Sequence, residues 1–260
     1  VHFRKGEQNG DPMNYTIFFA ILNLILFSRL RFTLRDKPLS NNADFIRLTI
    51  FPLIIIPFLS VTAGWVVLII YLLLRPVINR LFELSSTNLN RNRMDALFVD
   101  ILAVGILASP LFELQPAIWI NGFEQTILDL FHPEGNEGTV NWQACFAILF
   151  GFLMILNEIN LLIRYILEKL QLAPLSDLHQ QQIDEKEFRT GRVIGFLERI
   201  FVFLFILMGQ YTAIGFILAA KGIVRYPEFG NRNFAEYILI GTLLSVLMAM
   251  GVAFVVQFFI

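Results

Sequence analysis

Residues 235–259 read AEYILIGTLLSVLMAMGVAFVVQFF. One acid, Glu236, stands at the start of this stretch, and no charged residue follows it. A helix rises about 1.5 Å per residue, so about 20 apolar residues cross about 30 Å of hydrocarbon. This run therefore reads as a membrane span. Within lipid the backbone must satisfy its own hydrogen bonds, and a run of this composition does so only as a helix.

Five further apolar stretches lie upstream. Tyr15–Leu30 is short and carries Asn23, and Phe45–Leu74 is interrupted by Pro52 and Pro57. Ala96–Leu114 holds Asp100 and Pro110, and Trp142–Leu167 holds Asn157, Glu158 and Asn160. Val193–Tyr226 is too long for one span. The 260-residue chain agrees: 56% hydrophobic, 16% charged, 27 Phe, mean hydropathy +0.65. Soluble domains are nearer a quarter charged. That excludes an ordinary cytosolic enzyme, a disordered chain and a nucleic-acid binder. A net charge of −1 sets up no bulk field toward an ionic partner. The expected fold is all-α, a polytopic transmembrane helix bundle of about 5–7 membrane-embedded helices plus one outer amphipathic interfacial helix. Residues 1–14 read as a polar tail that need not be natural to the protein, and 15–260 as a single transmembrane domain.

All 20 Lys and Arg fall in residues 4–93 or 164–232, while eight acids and no basic residue lie between Met94 and Ile163. The positive-inside rule then puts the loop 115–141 outside, with Trp119 and Trp142 as interfacial aromatics. Within it, Pro116–Phe131 reads as an amphipathic surface helix. Segments 75–93 and 168–192 are expected in the cytoplasm, with 168–190 a solvated loop. The basic linker 29–47 also wants the cytoplasm. Either 45–74 is a hairpin bent near Pro57–Gly64, or it is one long, tilted, Pro-kinked span. Val193–Tyr226 reads as two helices turning at Gly209-Gln210, which keeps both basic ends on one side.

Ionisable residues within spans are expensive and often functional. On the hairpin reading, a charged cluster gathers in the cytoplasmic third: Asn157, Glu158, Asn160, Glu198, Arg199, Lys221, Arg225, Asp100 and Glu236. Opposite charges at equal depth are expected to pair, Glu158 and Glu198 with Arg199 and Lys221. Such pairs also serve simply to pin a bundle together. Arg91, Arg93, Arg189 and Arg192 form a candidate cytoplasmic docking surface for a soluble protein or anionic lipid. Small residues, including Gly191/Gly195 and Gly241/Ser245, permit close helix approach within the chain or in a homo-oligomer.

No P-loop, Gly-x-Ser-x-Gly, His-Glu-x2-His or Asp-x2-Asp motif occurs. The single Cys145 cannot form an internal disulfide, and His2, His132 and His179 are far apart. Neither catalysis, a metal nor a cofactor is expected.

The stretches Gly191-Arg-Val-Ile-Gly-Phe-Leu-Glu-Arg199, Gly209-Gln-Tyr-Thr-Ala-Ile-Gly-Phe-Ile-Leu-Ala-Ala-Lys221 and Glu236-Tyr-Ile-Leu-Ile-Gly-Thr-Leu-Leu-Ser245, with Arg225, form one block. It resembles the C-terminal block of an uncharacterised bacterial family of multi-spanning inner-membrane proteins, classed as a domain of unknown function. The N-terminal 150 residues depart from that family's His- and Asp-bearing half. The resemblance implies a bacterial cytoplasmic membrane and a recurring C-terminal module, and no activity. The functional expectation is an oligomeric ion channel or transporter. The alternatives are a membrane-embedded effector acting through its basic loops, including by permeabilising the membrane, and an intramembrane lipid enzyme with Glu158 as acid–base group.

Overall fold

A computed structural model describes residues 14–30, 42–84, 88–120, 126, 141–170, 185–225 and 232–260, with backbone alone at 42–43, 185–192, 225, 232–234 and 237. Regular structure among them is helical, apart from one antiparallel bridge between Leu59 and Pro116. Eight helices are described: α1 (Tyr15–Arg29), α2 (Asn42–Leu53), α3 (Ala63–Leu84), α4 (Leu89–Leu107), α5 (Trp142–Lys169), α6 (Glu185–Leu207), α7 (Tyr211–Arg225) and α8 (Arg232–Gln257).

The helices begin and end where local chemistry says they should. Asn14, Asn88 and Asn141 cap α1, α4 and α5, their side-chain oxygens accepting backbone N–H groups of the first turn. Gly209, at φ 69°, ends α6 in the left-handed conformation, with Gly209 N–H on Ile206 O and Gln210 N–H on Phe205 O.

Successive helices run antiparallel. Arg75 donates to Leu48 O across the α2–α3 turn, and Lys221 meets Glu198 across the α6–α7 turn. The residues 45–74 are thus a hairpin, not one kinked helix: α2 stops at Leu53, Pro57 sits in a 3-10 turn, and α3 starts at Ala63. The turn at Gly209-Gln210 is also as expected. Two boundaries move. Helix α6 starts at Glu185, inside the expected loop 168–190, and the rest of that loop from 171 to 184 lies outside the described residues. Most of the expected surface helix at 116–131 lies outside them as well.

Alternation divides the molecule into two ends. One holds the C-termini of α1, α3, α5 and α7, and every described Lys and Arg lies in mid-bundle or toward it; it is the basic end. The opposite end is closed by the bridge, by Ser60 N–H on Gln115 O and Ala117 N–H on Phe58 O, and by Trp119 Nε1 on Pro57 O.

The core has two halves sharing α1 and α5. In the first, Ile17, Ile21, Leu22 and Ile25 of α1 pack with Leu68 and Leu72 of α3 and Val104 and Leu107 of α4. In the second, Ala147, Ile155, Ile159 and Ile163 of α5 pack with Val202, Phe203 and Ile206 of α6 and Val246, Ala249, Ala253 and Val256 of α8. Outward faces are apolar too, as at Val66, Ile70, Leu73, Val77 and Leu81 of α3. Exposed apolar faces of that kind mark a surface that contacts a membrane or another protein. Helices α3 and α5 and residues Ile238–Gln257 of α8 have the length and composition to cross a membrane. Among the described residues these three qualify. At 15, 12 and 15 residues, α1, α2 and α7 are shorter than the hydrocarbon, and α4 and α6 carry ionisable residues along their length.

Candidate functional site

Several polar residues of α3 and α4 fall on the faces that carry the core, while Arg80, Arg91 and Asp95 are exposed. In α3 the buried positions are Gly64, Leu68, Leu72, Arg75, Asn79 and Glu83, one helical stripe that turns from apolar to charged toward the basic end. In α4 they are Asn92, Arg93, Ala96, Leu97, Asp100, Val104 and Leu107. The two stripes face each other and form two ion pairs. Arg75 Nε lies 3.0 Å from Asp100 Oδ1, and its Nη2 3.1 Å from Oδ2. Arg93 Nε lies 2.7 Å from Glu83 Oε1. Helix α1 ends on a third cation, Arg29, whose Nε donates to Glu158 Oε1 of α5 at 2.7 Å and whose Nη2 donates to Oε2 at 3.1 Å.

The three pairs are joined. Arg29 Nη2 also donates to Arg93 O at 2.6 Å, and Arg75 Nη1 donates to Ser28 Oγ at 3.3 Å and Leu48 O at 2.7 Å. Tyr71 OH donates to Asp100 Oδ1 at 2.6 Å, and Asn157 Nδ2 to Glu158 Oε1 at 2.6 Å. All six charged side chains are buried. Among the described residues, three cations and three carboxylates thus make one network through α1, α3, α4 and α5.

Glu158 is aimed by a backbone irregularity. Met154–Glu158 is a π turn within α5, and the N–H of Ile159 reaches back to Met154 O. In an α-helix that N–H would serve Ile155 O. The π turn presents Asn157 and Glu158 to the network on one side. On the other side Ile155 O accepts from Arg199 Nε of α6 at 3.2 Å. Arg199 Nη1 donates to Ser245 Oγ of α8 at 3.2 Å, and its guanidinium lies over the Phe196 ring, 5.1 Å from the centroid.

The expected cluster is therefore split. Asp100, Asn157 and Glu158 belong to the network. Glu198 pairs with Lys221 at 2.6 Å, as expected, on the α6–α7 hairpin. Glu158 does not pair with Arg199 or Lys221. Its partner is Arg29, because α1 packs against the face of α5 that carries Glu158. Arg199 turns instead to the opening made by the π turn. Asn160 is half-buried on α5, with its Nδ2 unbonded. Glu236 is exposed near the start of α8, and Arg225 ends α7 with its side chain outside the described residues.

Of the docking arginines, Arg91 is 60% exposed and lies 3.6 Å from Asp95. Arg93 is 2% exposed and committed to Glu83, so it offers no surface to a partner. Arg189 and Arg192 lie on the first turns of α6, with side chains outside the described residues. Sequence reading missed Arg29, Arg75, Glu83 and Tyr71 as members of the site. The signal for Arg75 and Glu83 was present in their alignment with Leu68 and Leu72 on one face of α3.

No family model, curated protein or solved structure matches this chain. Function must therefore be argued from the network. Arginine stays charged, so the pairs are not proton donors in themselves. Glu158 stands out in the network, with two donors, Arg29 and Asn157, on one carboxylate.

Proposed function

We propose that the protein is a multi-pass membrane transport protein that moves an ion or small charged solute, with Glu158 the carboxylate whose pairing changes during the cycle. The observation that carries this reading is the π turn that sets Glu158 against Arg29 inside a buried three-pair network. Burying ion pairs costs desolvation that their attraction barely offsets, so a purely structural network is an expensive way to hold helices together. π turns are rare and recur at functional positions. The positive-inside rule puts the basic end in the cytoplasm and the 115–141 segment outside. The C-terminal resemblance favours a bacterial inner membrane.

Ion flux into liposomes tests the proposal. Wild type is compared with Glu158→Gln and with the double variant Arg29→Met/Glu158→Leu. The double variant removes both charges, and so avoids the stranded-ion penalty that threatens folding of the single one. The expected result is flux in wild type and at least about a tenfold loss in a folded double variant, which corresponds to about 1.4 kcal/mol on the barrier. A folded double variant with wild-type flux makes the network a structural strut and overturns the proposal.

A further inference from the structure

Four arginines are buried among the described residues, and three of them, Arg29, Arg75 and Arg93, hold a carboxylate. The fourth, Arg199, is 6% exposed and holds none. Its sequence neighbour Glu198 is committed to Lys221 at 2.6 Å, a pair that is neutral in itself. Arg199 donates only to a backbone carbonyl and a hydroxyl, through Nε and Nη1, and its Nη2 makes no hydrogen bond among the described residues. A phenyl ring, that of Phe196, is its remaining partner. A guanidinium thus lies between α5, α6 and α8 with no carboxylate hydrogen-bonded to it among the described residues, and the neighbouring Glu198 is shared with Lys221. Unpaired buried charge is among the costliest features a protein can carry.

Gly195 borders the guanidinium. Gly195 lies one turn before Arg199 on α6, and a Cβ there would stand 3.8 Å from Nη1. With no side chain at Gly195, the space beside Nη1 stays open. Nη1 and Nη2 together form the flat end of the guanidinium, the edge that takes two oxygens of a carboxylate or phosphate in parallel. Nε and one Nη1 hydrogen are anchored on α5 and α8, so this edge is held in position before any ligand arrives.

We propose that Arg199, with Gly195 and Ser245, forms a binding site for a single oxyanion within the bundle. The site stands apart from the α1–α5 charge network and does not depend on the transport reading. The chemistry is that of a phosphate group. A free inorganic anion and the headgroup of an anionic lipid both carry it. The level of Gly195 on α6 is two residues beyond the start of the apolar stretch at Val193, within reach of a headgroup at the basic-end interface.

Thermal unfolding of the purified protein in neutral detergent tests the site. Wild type, Arg199→Gln and Gly195→Val are each melted at constant ionic strength in three conditions: chloride alone, chloride replaced by inorganic phosphate, and chloride with added phosphatidylglycerol, with phosphatidylcholine as the lipid control. Binding to the folded state alone raises the melting temperature, by about 3 °C or more at ligand well above its dissociation constant. The expected result is such a rise in wild type and none in either variant. A response to phosphate identifies a free oxyanion site, and a response to phosphatidylglycerol alone identifies a headgroup site. If Arg199→Gln does not fold, Gly195→Val carries the comparison, because its branched methyls fill the space before Nη1 and leave the arginine in place. Wild type that responds to neither additive overturns the proposal, and so does a rise equal in wild type and Gly195→Val.

Discussion

Glu83 and Arg93 meet at 2.7 Å near the basic end, and each offsets the other's charge. Removing one takes from the other a buried, hydrogen-bonded counter-ion. Arg93→Met is therefore expected to destabilise the fold by about 3–5 kcal/mol, and Arg93→Met/Glu83→Leu to recover most of that loss. Chemical denaturation in detergent measures both, and a double variant as unstable as the single one would show that the pair is needed for more than its neutrality. Gly151 makes the complementary case for volume. A Cβ there would stand 2.6 Å from Val256 Cγ2 and 2.7 Å from the Phe203 ring, where α5, α6 and α8 converge. Gly151→Ala is expected to cost about 1–3 kcal/mol by overpacking, read as a lower melting temperature. The sequence flagged Glu158 and Asp100 because an acid in an apolar run stands out. It did not flag Arg29 or Arg75, and it read Arg93 as a docking residue, because all three sit at the ends or outside of apolar runs and look like loop charges. Their partners depend on which helix faces pack together, and hydropathy alone does not encode that.

The π turn is the element on which both buried sites depend. It frees Ile155 O for Arg199 and rotates Glu158 toward Arg29. One extra residue in a helix makes such a turn, so deleting one residue, Leu156, should restore regular α hydrogen bonding. The deletion is expected to keep a helical protein by circular dichroism. It should also close the widened turn that aims Glu158, and so weaken the Arg29–Glu158 pair. Flux falling to the level of the Arg29→Met/Glu158→Leu variant would agree with that geometry, and full flux would mean that the turn is incidental. Gly209 tests a second element. Its positive φ closes the α6–α7 hairpin, and nothing lies within 4 Å of where its side chain would be. The cost of Gly209→Ala is therefore conformational alone, about 1–2 kcal/mol. The hairpin was legible because Gly209-Gln210 breaks an apolar run too long for one span. A π turn leaves no comparable mark, since Met-Ile-Leu-Asn-Glu is ordinary helical sequence.

The whole molecule is an alternating bundle with unlike ends, and the ends follow from where lysine and arginine occur in the chain. Residues 14, 54–62, 108–120, 141, 208–211 and 258–260 gather at the end that carries no basic residue, while 29–30, 84, 88, 169–170 and 225 gather at the other. In a membrane this arrangement dictates which positions share a compartment. In a Cys145→Ser background, single cysteines at Ser60, Leu111 and Gln210 are expected to react with an impermeant maleimide from one side of the membrane. Cysteines at Arg91 and Leu170 are expected to react from the other. The choice of Ser60 is deliberate. If 45–74 were one kinked span, residue 60 would lie in mid-membrane and react from neither side. If α2 and α3 form the hairpin described above, it lies beside Gln115, whose carbonyl its N–H meets at 2.9 Å, and the two must label together. Gln210 makes the same demand of the second hairpin. Helix α7 is about 22 Å long at 1.5 Å per residue, short of the hydrocarbon thickness. Labelling at Gln210 from the arginine-free side then requires the bilayer to thin or water to enter beside α7. Protection at Gln210 with labelling at Ser60 would instead make α6–α7 a re-entrant pair, its turn and the Glu198–Lys221 bridge both held within the membrane.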